Sequence, residues 1–215
     1  LFFLLQIPLE TYAGKSIKTG SIDSSSTSSS SSSDTTAPDA PTSLTNTSDE
    51  NDSTPTFEGT AEPNSKVTLN IYSGSKIIST TTTTADSSGD FSVTSSSALD
   101  DGQYSVKLTS TDAAGNVSSK SSALSITIDT TAPDAPTSLT NISDEDDSTP
   151  TISGTAEPNS KVTLFIDSST LGTTTADSKG AFSFTPSSAI SDGTYSIKAS
   201  ATDSAGNVSS KSSSL

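Results

Sequence analysis

The sequence predicts an all-β chain: tandem antiparallel β-sandwiches of about seven strands each, behind a disordered N-terminal segment. Three observations carry this. A long segment recurs almost unchanged at a spacing of 95 residues. Apolar residues alternate with Thr, Ser and Lys at a period of two, as in strands with one face buried. Helical i, i+3, i+4 spacing is not sustained anywhere.

The repeat sets the organisation. Asp34-Thr-Thr-Ala-Pro-Asp-Ala-Pro-Thr-Ser-Leu-Thr-Asn46 returns intact at Asp129–Asn141, and 32 of the 36 positions from Asp34 to Leu69 match their partners in Asp129–Leu164. A four-residue deletion then shifts the register to 91, where Asp112-Ala-Ala-Gly-Asn-Val-Ser-Ser-Lys120 meets Asp203-Ser-Ala-Gly-Asn-Val-Ser-Ser-Lys211. A period near 90 is too long for a solenoid unit and suits a small self-contained domain. The expected division is 1–33 as a non-repeat segment, 34–128 as the first repeat and 129–215 as the second, its last strand cut short at Leu215. Both ends read as cut, which makes the chain a fragment of a longer repetitive protein. Within 1–33, Leu1–Leu5 is either a signal-peptide remnant or an arbitrary edge. The Ser-rich run through Ser33 reads as a flexible linker.

Taken in order, the expected strands of the first repeat are Thr42–Asn46, Thr54–Ala61, Lys66–Tyr72, Ile77–Ala85, Asp90–Thr94, Gln103–Thr111 and Val117–Ile128. The third shows the alternation best, with Val67, Leu69 and Ile71 on one face. Tyr104, Val106 and Leu108 share a face, as do Leu124, Ile126 and Ile128. Turn residues separate the runs: Glu62-Pro-Asn-Ser65, Asp86-Ser-Ser-Gly89, Asp101-Gly102 and Ala114-Gly-Asn116. Seven short strands in about 95 residues fit an immunoglobulin-like sandwich. Tyr104 and Tyr195 follow Asp-Gly at the start of the sixth strand, where such sandwiches place a tyrosine corner; simple core filling accounts for them equally well.

Composition narrows the chemistry. Only 28% of the 215 residues are hydrophobic, and 87 are Ser or Thr. Leu, Ile, Val and Phe make up about 18% of the chain, which by composition alone reads as disorder. Order therefore rests on the pattern. The chain has no Cys, His, Met, Trp or Arg. That excludes Cys/His zinc sites, Ser-His-Asp and Cys-His catalysis and disulfides. A net charge of −15 without Arg makes nucleic acid an unsuitable partner. The longest apolar run is far below a membrane span.

The acidic residues are the one chemical signal. Alternating strand directions put the linker and one set of loops at the N-terminal pole of the second repeat, with Asp129, Asp134, Glu157, Asp177, Asp203 and Asn207. The facing pole of the first repeat carries Asp49, Glu50, Asp52, Asp100 and Asp101. Two acidic surfaces meet across a short linker, and calcium, which takes six to eight oxygen ligands, answers that repulsion. The candidate metal ligands are Asp129, Glu157, Asp203 and Asn207, with Asp34, Glu62, Asp112 and Asn116 as their equivalents. The competing reading is that Asp and Asn sit there because turns favour them. The Asp144-Glu-Asp-Asp147 run lacks the spacing of an EF-hand loop and reads as a solvated turn.

Asp-Thr-Thr-Ala-Pro at 34–38 and 129–133, Gly-Thr-Ala-Glu-Pro-Asn-Ser at 59–65 and 154–160, and Thr-Asp-Ala-Ala-Gly-Asn-Val at 111–117 together resemble the bacterial immunoglobulin-like repeats of large secreted surface adhesins, the biofilm-associated and RTX-type stalks. The second copy of the last motif reads Thr-Asp-Ser-Ala-Gly-Asn-Val at 202–208. The resemblance implies an extracellular, cell-surface bacterial protein whose repeats form a stalk, with calcium at the junctions. It makes Asp34, Asp129, Asp112 and Asp203 the leading ligand candidates. The expected function is non-catalytic: extender repeats that project a binding region for attachment or biofilm formation. Their partners are neighbouring repeats of the same chain, and a host or surface ligand is met through other regions. The alternative is a spacer or carbohydrate-binding accessory module of a secreted polysaccharide-degrading enzyme.

Overall fold

The computed structural model describes residues 33–215. The N-terminal expectations, a signal remnant and a Ser-rich linker, fall on residues 1–32, outside the described residues. Every regular element among the described residues is a strand. In chain order they are β1 (Thr42–Asn46), β2 (Thr56–Thr60), β3 (Lys66–Ser73), β4 (Lys76–Thr84), β5 (Asp90–Thr94), β6 (Gly102–Thr111) and β7 (Leu124–Ile128). Then follow β8 (Thr137–Asn141), β9 (Ile152–Thr155), β10 (Lys161–Ile166), β11 (Ser169–Thr175), β12 (Ala181–Phe184) and β13 (Ile197–Thr202).

The first seven strands form two antiparallel sheets, one ordered β1-β2-β5 and the other β4-β3-β6-β7. The remaining six repeat the arrangement as β8-β9-β12 and β11-β10-β13. The four-residue deletion falls in the β10–β11 hairpin, where β10 and β11 are each two residues shorter than β3 and β4.

Period-two burial builds the cores. Val67, Leu69 and Ile71 of β3 are fully buried and pack with Phe57, Val106 and Leu108. Each such side chain contributes about 1.5–3 kcal/mol of transfer free energy. In the second core Val162 and Leu164 pack with Ile152, Phe182 and Ala199. Gly154 permits this, because a Cβ there would lie 2.7 Å from the Phe182 ring. The outward faces explain much of the Ser and Thr content. Thr42 and Thr60, Thr56 and Thr94, and Thr151 and Thr185 pair hydroxyl to hydroxyl across strands at 2.7–2.9 Å. Such pairs contribute about 0.2–1 kcal/mol each.

The seventh strand is shorter than its sequence pattern suggests. Val117 makes a single bridge to Thr111, and regular pairing resumes only at Leu124. Between them the chain bonds β6 at every third residue rather than every second. Ser118 N–H donates to the Ser110 carbonyl and Ser121 N–H to that of Leu108. In return the Ser118 hydroxyl accepts from Ser110 N–H (2.9 Å), and the Ser121 hydroxyl from Leu108 N–H (3.0 Å). Buried serine side chains thus replace the strand's own carbonyls. Ser209 and Ser212 do the same for Ala201 and Ala199.

The tyrosine corner is present. Tyr104 donates its phenolic O–H to the Asp100 carbonyl at 2.7 Å, and Tyr195 to that of Ser191 at 3.2 Å. Burial first, then the charges of Asp100 and Asp101, hold the Tyr104 phenol above its usual pKa, so it remains a donor.

Candidate functional site at the joint between repeats

The turn after β13 is closed by one Asp–Asn pair. Asp203 Oδ1 accepts from the Asn207 backbone N–H (2.9 Å) and Asp203 Oδ2 from Asn207 Nδ2 (2.9 Å). Gly206 sits between them at φ +96°, a conformation that Gly adopts without the Cβ penalty. A Cβ there would also lie 3.3 Å from Nδ2 of Asn51, so this turn faces the β1–β2 loop of the first repeat. Asp112 and Asn116 close the matching turn of the first repeat at 2.8 Å for both bonds.

Asn207 reaches further. Its Nδ2 also donates to the Asp129 carbonyl at 2.8 Å, so both partners are acceptors and the amide orientation is fixed. Asn116 makes the same bond to the Asp34 carbonyl at 3.1 Å. From the other side, the first repeat holds the linker by several bonds. Asp129 N–H donates to the Glu50 carbonyl at 2.9 Å. Thr130 donates both its N–H and its hydroxyl to Asp101 Oδ1, at 2.7 Å each. The Thr131 hydroxyl donates to Asp101 Oδ2. Residues 129–131 are therefore bonded to loops of both repeats.

These bonds set the electrostatics. The Thr131 hydroxyl and the Thr130 N–H hold the Asp101 carboxyl below the usual Asp range. The Asn116 side chain lowers Asp112, against a smaller opposing effect of burial. At Asp203 burial pushes upward, but the combined hydrogen bonds of Asn207, Gly206 and Ala205 outweigh it. Asp52 and Asp147 are lowered chiefly by the backbone N–H groups of Thr54 and Thr149, within their own turns.

The expected ligands divide into two groups. Asp129, Asp203 and Asn207 come together in the second repeat, and Asp34, Asp112 and Asn116 in the first. Glu157 instead lines a surface hollow with Asp134, and Glu62 one with Asp39. The gathered groups present a carboxylate, an amide and a carbonyl, which is oxygen chemistry of the kind calcium takes. As arranged, they are satisfied by hydrogen bonds. Among the described residues, no three acidic side chains converge. Asp144–Asp147 is an exposed turn. Asp101, Thr130 and Thr131 were not singled out as a bonded set by sequence reasoning. The signal for them lies in the Asp-Thr-Thr that opens both repeats.

The sandwich topology and the paired Asp–Asn turns define a class, the tandem immunoglobulin-like β-sandwich. The chain belongs to the bacterial Ig-like domain family, whose model matches residues 17–130 and 135–215. No curated protein matches it. Among solved structures it is similar to a tetra-tandem repeat from the extending region of a large adhesion protein. That match has 28% identity, 85% of this chain and 50% of the other, and a TM-score of 0.37. It is also similar to a Ca2+-stabilized adhesin with which an Antarctic bacterium reaches out and binds ice, at 27% identity, 84% and 50% coverage, and a TM-score of 0.41. The FN1–FN3 domains of chicken CNTN1 share the fold at 15% identity, 83% and 64% coverage, and a TM-score of 0.52. The chain spans about half the length of the two adhesin chains. No helix among the described residues is long and apolar enough to cross a membrane.

Proposed function

We propose that these are non-catalytic extender repeats of a bacterial cell-surface adhesin, spacing an attachment region away from the cell. The observation that carries this reading is the linker. Residues 129–131 are bonded to the first repeat through Glu50 and Asp101 and to the second through Asn207. A joint tied on both sides suits a module whose work is to hold distance and direction. Its partners are the neighbouring repeats, and its location is extracellular.

Calcium is the second part of the proposal. Asp129, Asp203 and Asn207 would hold it at the joint, and Asp34, Asp112 and Asn116 at the start of the first repeat. The ion would supply positive charge between two acidic poles. Calorimetric titration of residues 34–215 with millimolar calcium is expected to show binding that Asp203→Ala weakens; absence of heat would remove the calcium part. Small-angle scattering with and without calcium tests the spacer part. An extended maximum dimension is expected, with a narrower distribution of dimensions when calcium is present; a broad distribution in both conditions would overturn the spacer reading, and an unchanged dimension and flexibility would remove stiffening by calcium.

A further inference from the structure

The chain is acidic overall, but its charge is sorted by sheet. Strands β3, β4, β6 and β7 contain no Asp or Glu, and neither do β10, β11 and β13. The opposite sheet of the first repeat carries Glu58 and Asp90, and the other carboxylates of the described residues lie in loops and turns. Six of the eight lysines among the described residues belong to the carboxylate-free sheets: Lys66, Lys107 and Lys120 in the first repeat, Lys161, Lys198 and Lys211 in the second. Alternation turns the strand lysines outward, since the neighbours Val67, Val106 and Leu108 are buried.

Each of these faces sets one aromatic ring beside two lysines. Lys120 Nζ donates to the Tyr72 hydroxyl at 3.0 Å and lies 5.3 Å from the ring centroid; Lys107 Nζ lies 5.9 Å from it. In the second repeat Lys211 Nζ stands 3.6 Å over the Phe165 ring, and Lys198 is opposite Phe165 in the β10–β13 register. The two rings are not sequence equivalents. Phe165 takes the place of Asn70, which faces Lys107 in the same way. The ring has moved along the strand, while both lysines keep their places at the register of 91. Asp167 takes the place of Tyr72, and its carboxylate is engaged by Ser196 N–H at 2.9 Å.

A ring beneath an ammonium attracts it through its negative face and so holds the positive charge in place. Around this fixed charge the first repeat presents the hydroxyls of Thr68, Thr80, Thr82 and Thr109 on the same outward face. Lys is depleted at the cores of protein–protein interfaces. A net charge of −15 also opposes the approach of a second copy. Fixed cations set among hydroxyls suit a partner that is itself a chain of hydroxyls and acid groups.

We propose that the outer faces of the β4-β3-β6-β7 and β11-β10-β13 sheets bind an anionic polysaccharide. Its carboxylate or sulfate groups lie between Lys107 and Lys120 in the first repeat and between Lys198 and Lys211 in the second. The neighbouring threonine hydroxyls bond the sugar hydroxyls, and the half-buried ring offers its remaining surface to the C–H face of a sugar. One such site is weak, because its ion pairs are exposed to water. Repetition compensates: a polymer held at one repeat meets the next site at high effective concentration. The inference goes beyond the extender reading and holds whether or not the joint takes calcium.

The test titrates the 215-residue chain with sodium polygalacturonate, dextran sulfate and uncharged dextran, in EDTA so that no divalent ion bridges carboxylates. The two polyanions separate a carboxylate from a sulfate as the group recognised. Binding to at least one of them and not to dextran is expected, weakening as salt rises. Lys120→Gln with Lys211→Gln is expected to weaken it about fivefold, as the loss of two exposed charge contacts. Lys76→Gln with Lys179→Gln, which removes the same charge at a hairpin tip and a turn, is expected to leave it nearly unchanged. In the parent, amide shifts should move in β3, β6, β10 and β13 and stay in place in β2 and β5. Failure to bind either polyanion, equal binding of dextran, equal loss in the two double variants or shifts spread over both sheets overturns the proposal. So does self-association in sedimentation without polymer that Lys120→Gln with Lys211→Gln abolishes, since that assigns the face to the carboxylates of a second copy.

Discussion

Asp101 and Thr130 are joined by two bonds to one atom: Oδ1 of the carboxylate accepts both the backbone N–H and the hydroxyl of the threonine, each at 2.7 Å. The pair fixes the φ/ψ of the first linker residues from the side of the first repeat. Asp101→Ala is expected to free Thr130 and Thr131 without touching either core, while Asp129 stays bonded to Glu50 and Asn207. Backbone 15N relaxation should then report lower order at Thr130 and Thr131, while both melting midpoints stay near their original values.

The same carboxylate gives the joint a pH dependence. A folded pKa held below the ordinary Asp value means that the bound proton favours the unclasped state. The stabilisation is fully present above the unfolded value and is lost as pH falls from there through the lower folded one. Asp112 and Asp203 act in the same direction. Amide exchange at Thr130 and Asn207, once corrected for intrinsic rates, is expected to be flat from neutral pH down to the ordinary Asp range of about 3.9 and to accelerate below it.

Ser121 is a stability determinant hidden by its polarity. Its hydroxyl is the acceptor for Leu108 N–H inside the first core. Ser121→Ala leaves that buried donor unpaired, at a cost of about 1–3 kcal/mol. Chemical denaturation should show the loss in the first repeat alone. Ser212→Ala, which orphans Ala199 N–H, is expected to do the same in the second.

Gly154→Ala tests the packing of the second core. The added methyl meets the Phe182 ring well inside van der Waals contact, and Phe182 is itself 5% exposed. Overpacking of this kind costs about 1–3 kcal/mol. A lowered denaturation midpoint with an unchanged slope is the expected result.

Tyr104→Phe removes the corner bond to the Asp100 carbonyl and nothing else of the ring's packing. A loss of about 0.5–1.5 kcal/mol follows. Near-ultraviolet titration of the parent should place the Tyr104 ionisation above that of an ordinary tyrosine.

The strands were legible because their chemistry is local. Val67, Leu69 and Ile71 announce β3 by alternation, and the structure buries all three. Tyr104 was legible as a corner from its place after Asp-Gly. Ser118 and Ser121 were not, because spacing by three among serines carries no hydropathy signal; their role appears only when β6 lies alongside. The joint was legible as a meeting of acidic loops, but its wiring was not. Composition shows carboxylates and leaves unseen the Thr130 and Thr131 donors that occupy one of them. Glu157, read from sequence as part of the same pole, lines a surface hollow with Asp134.

One mechanical consequence follows from the pairing of β7 with β6. The chain leaves the first repeat along the axis of β7, and five register pairs tie that strand to its neighbour, from Val106–Leu124 to Gly102–Ile128. A pull along the chain therefore loads those rungs together, in shear, instead of peeling them one at a time. Under the same tension the few bonds around Asp129 and Thr130 are expected to yield at a lower force than the β6–β7 ladder of the first repeat.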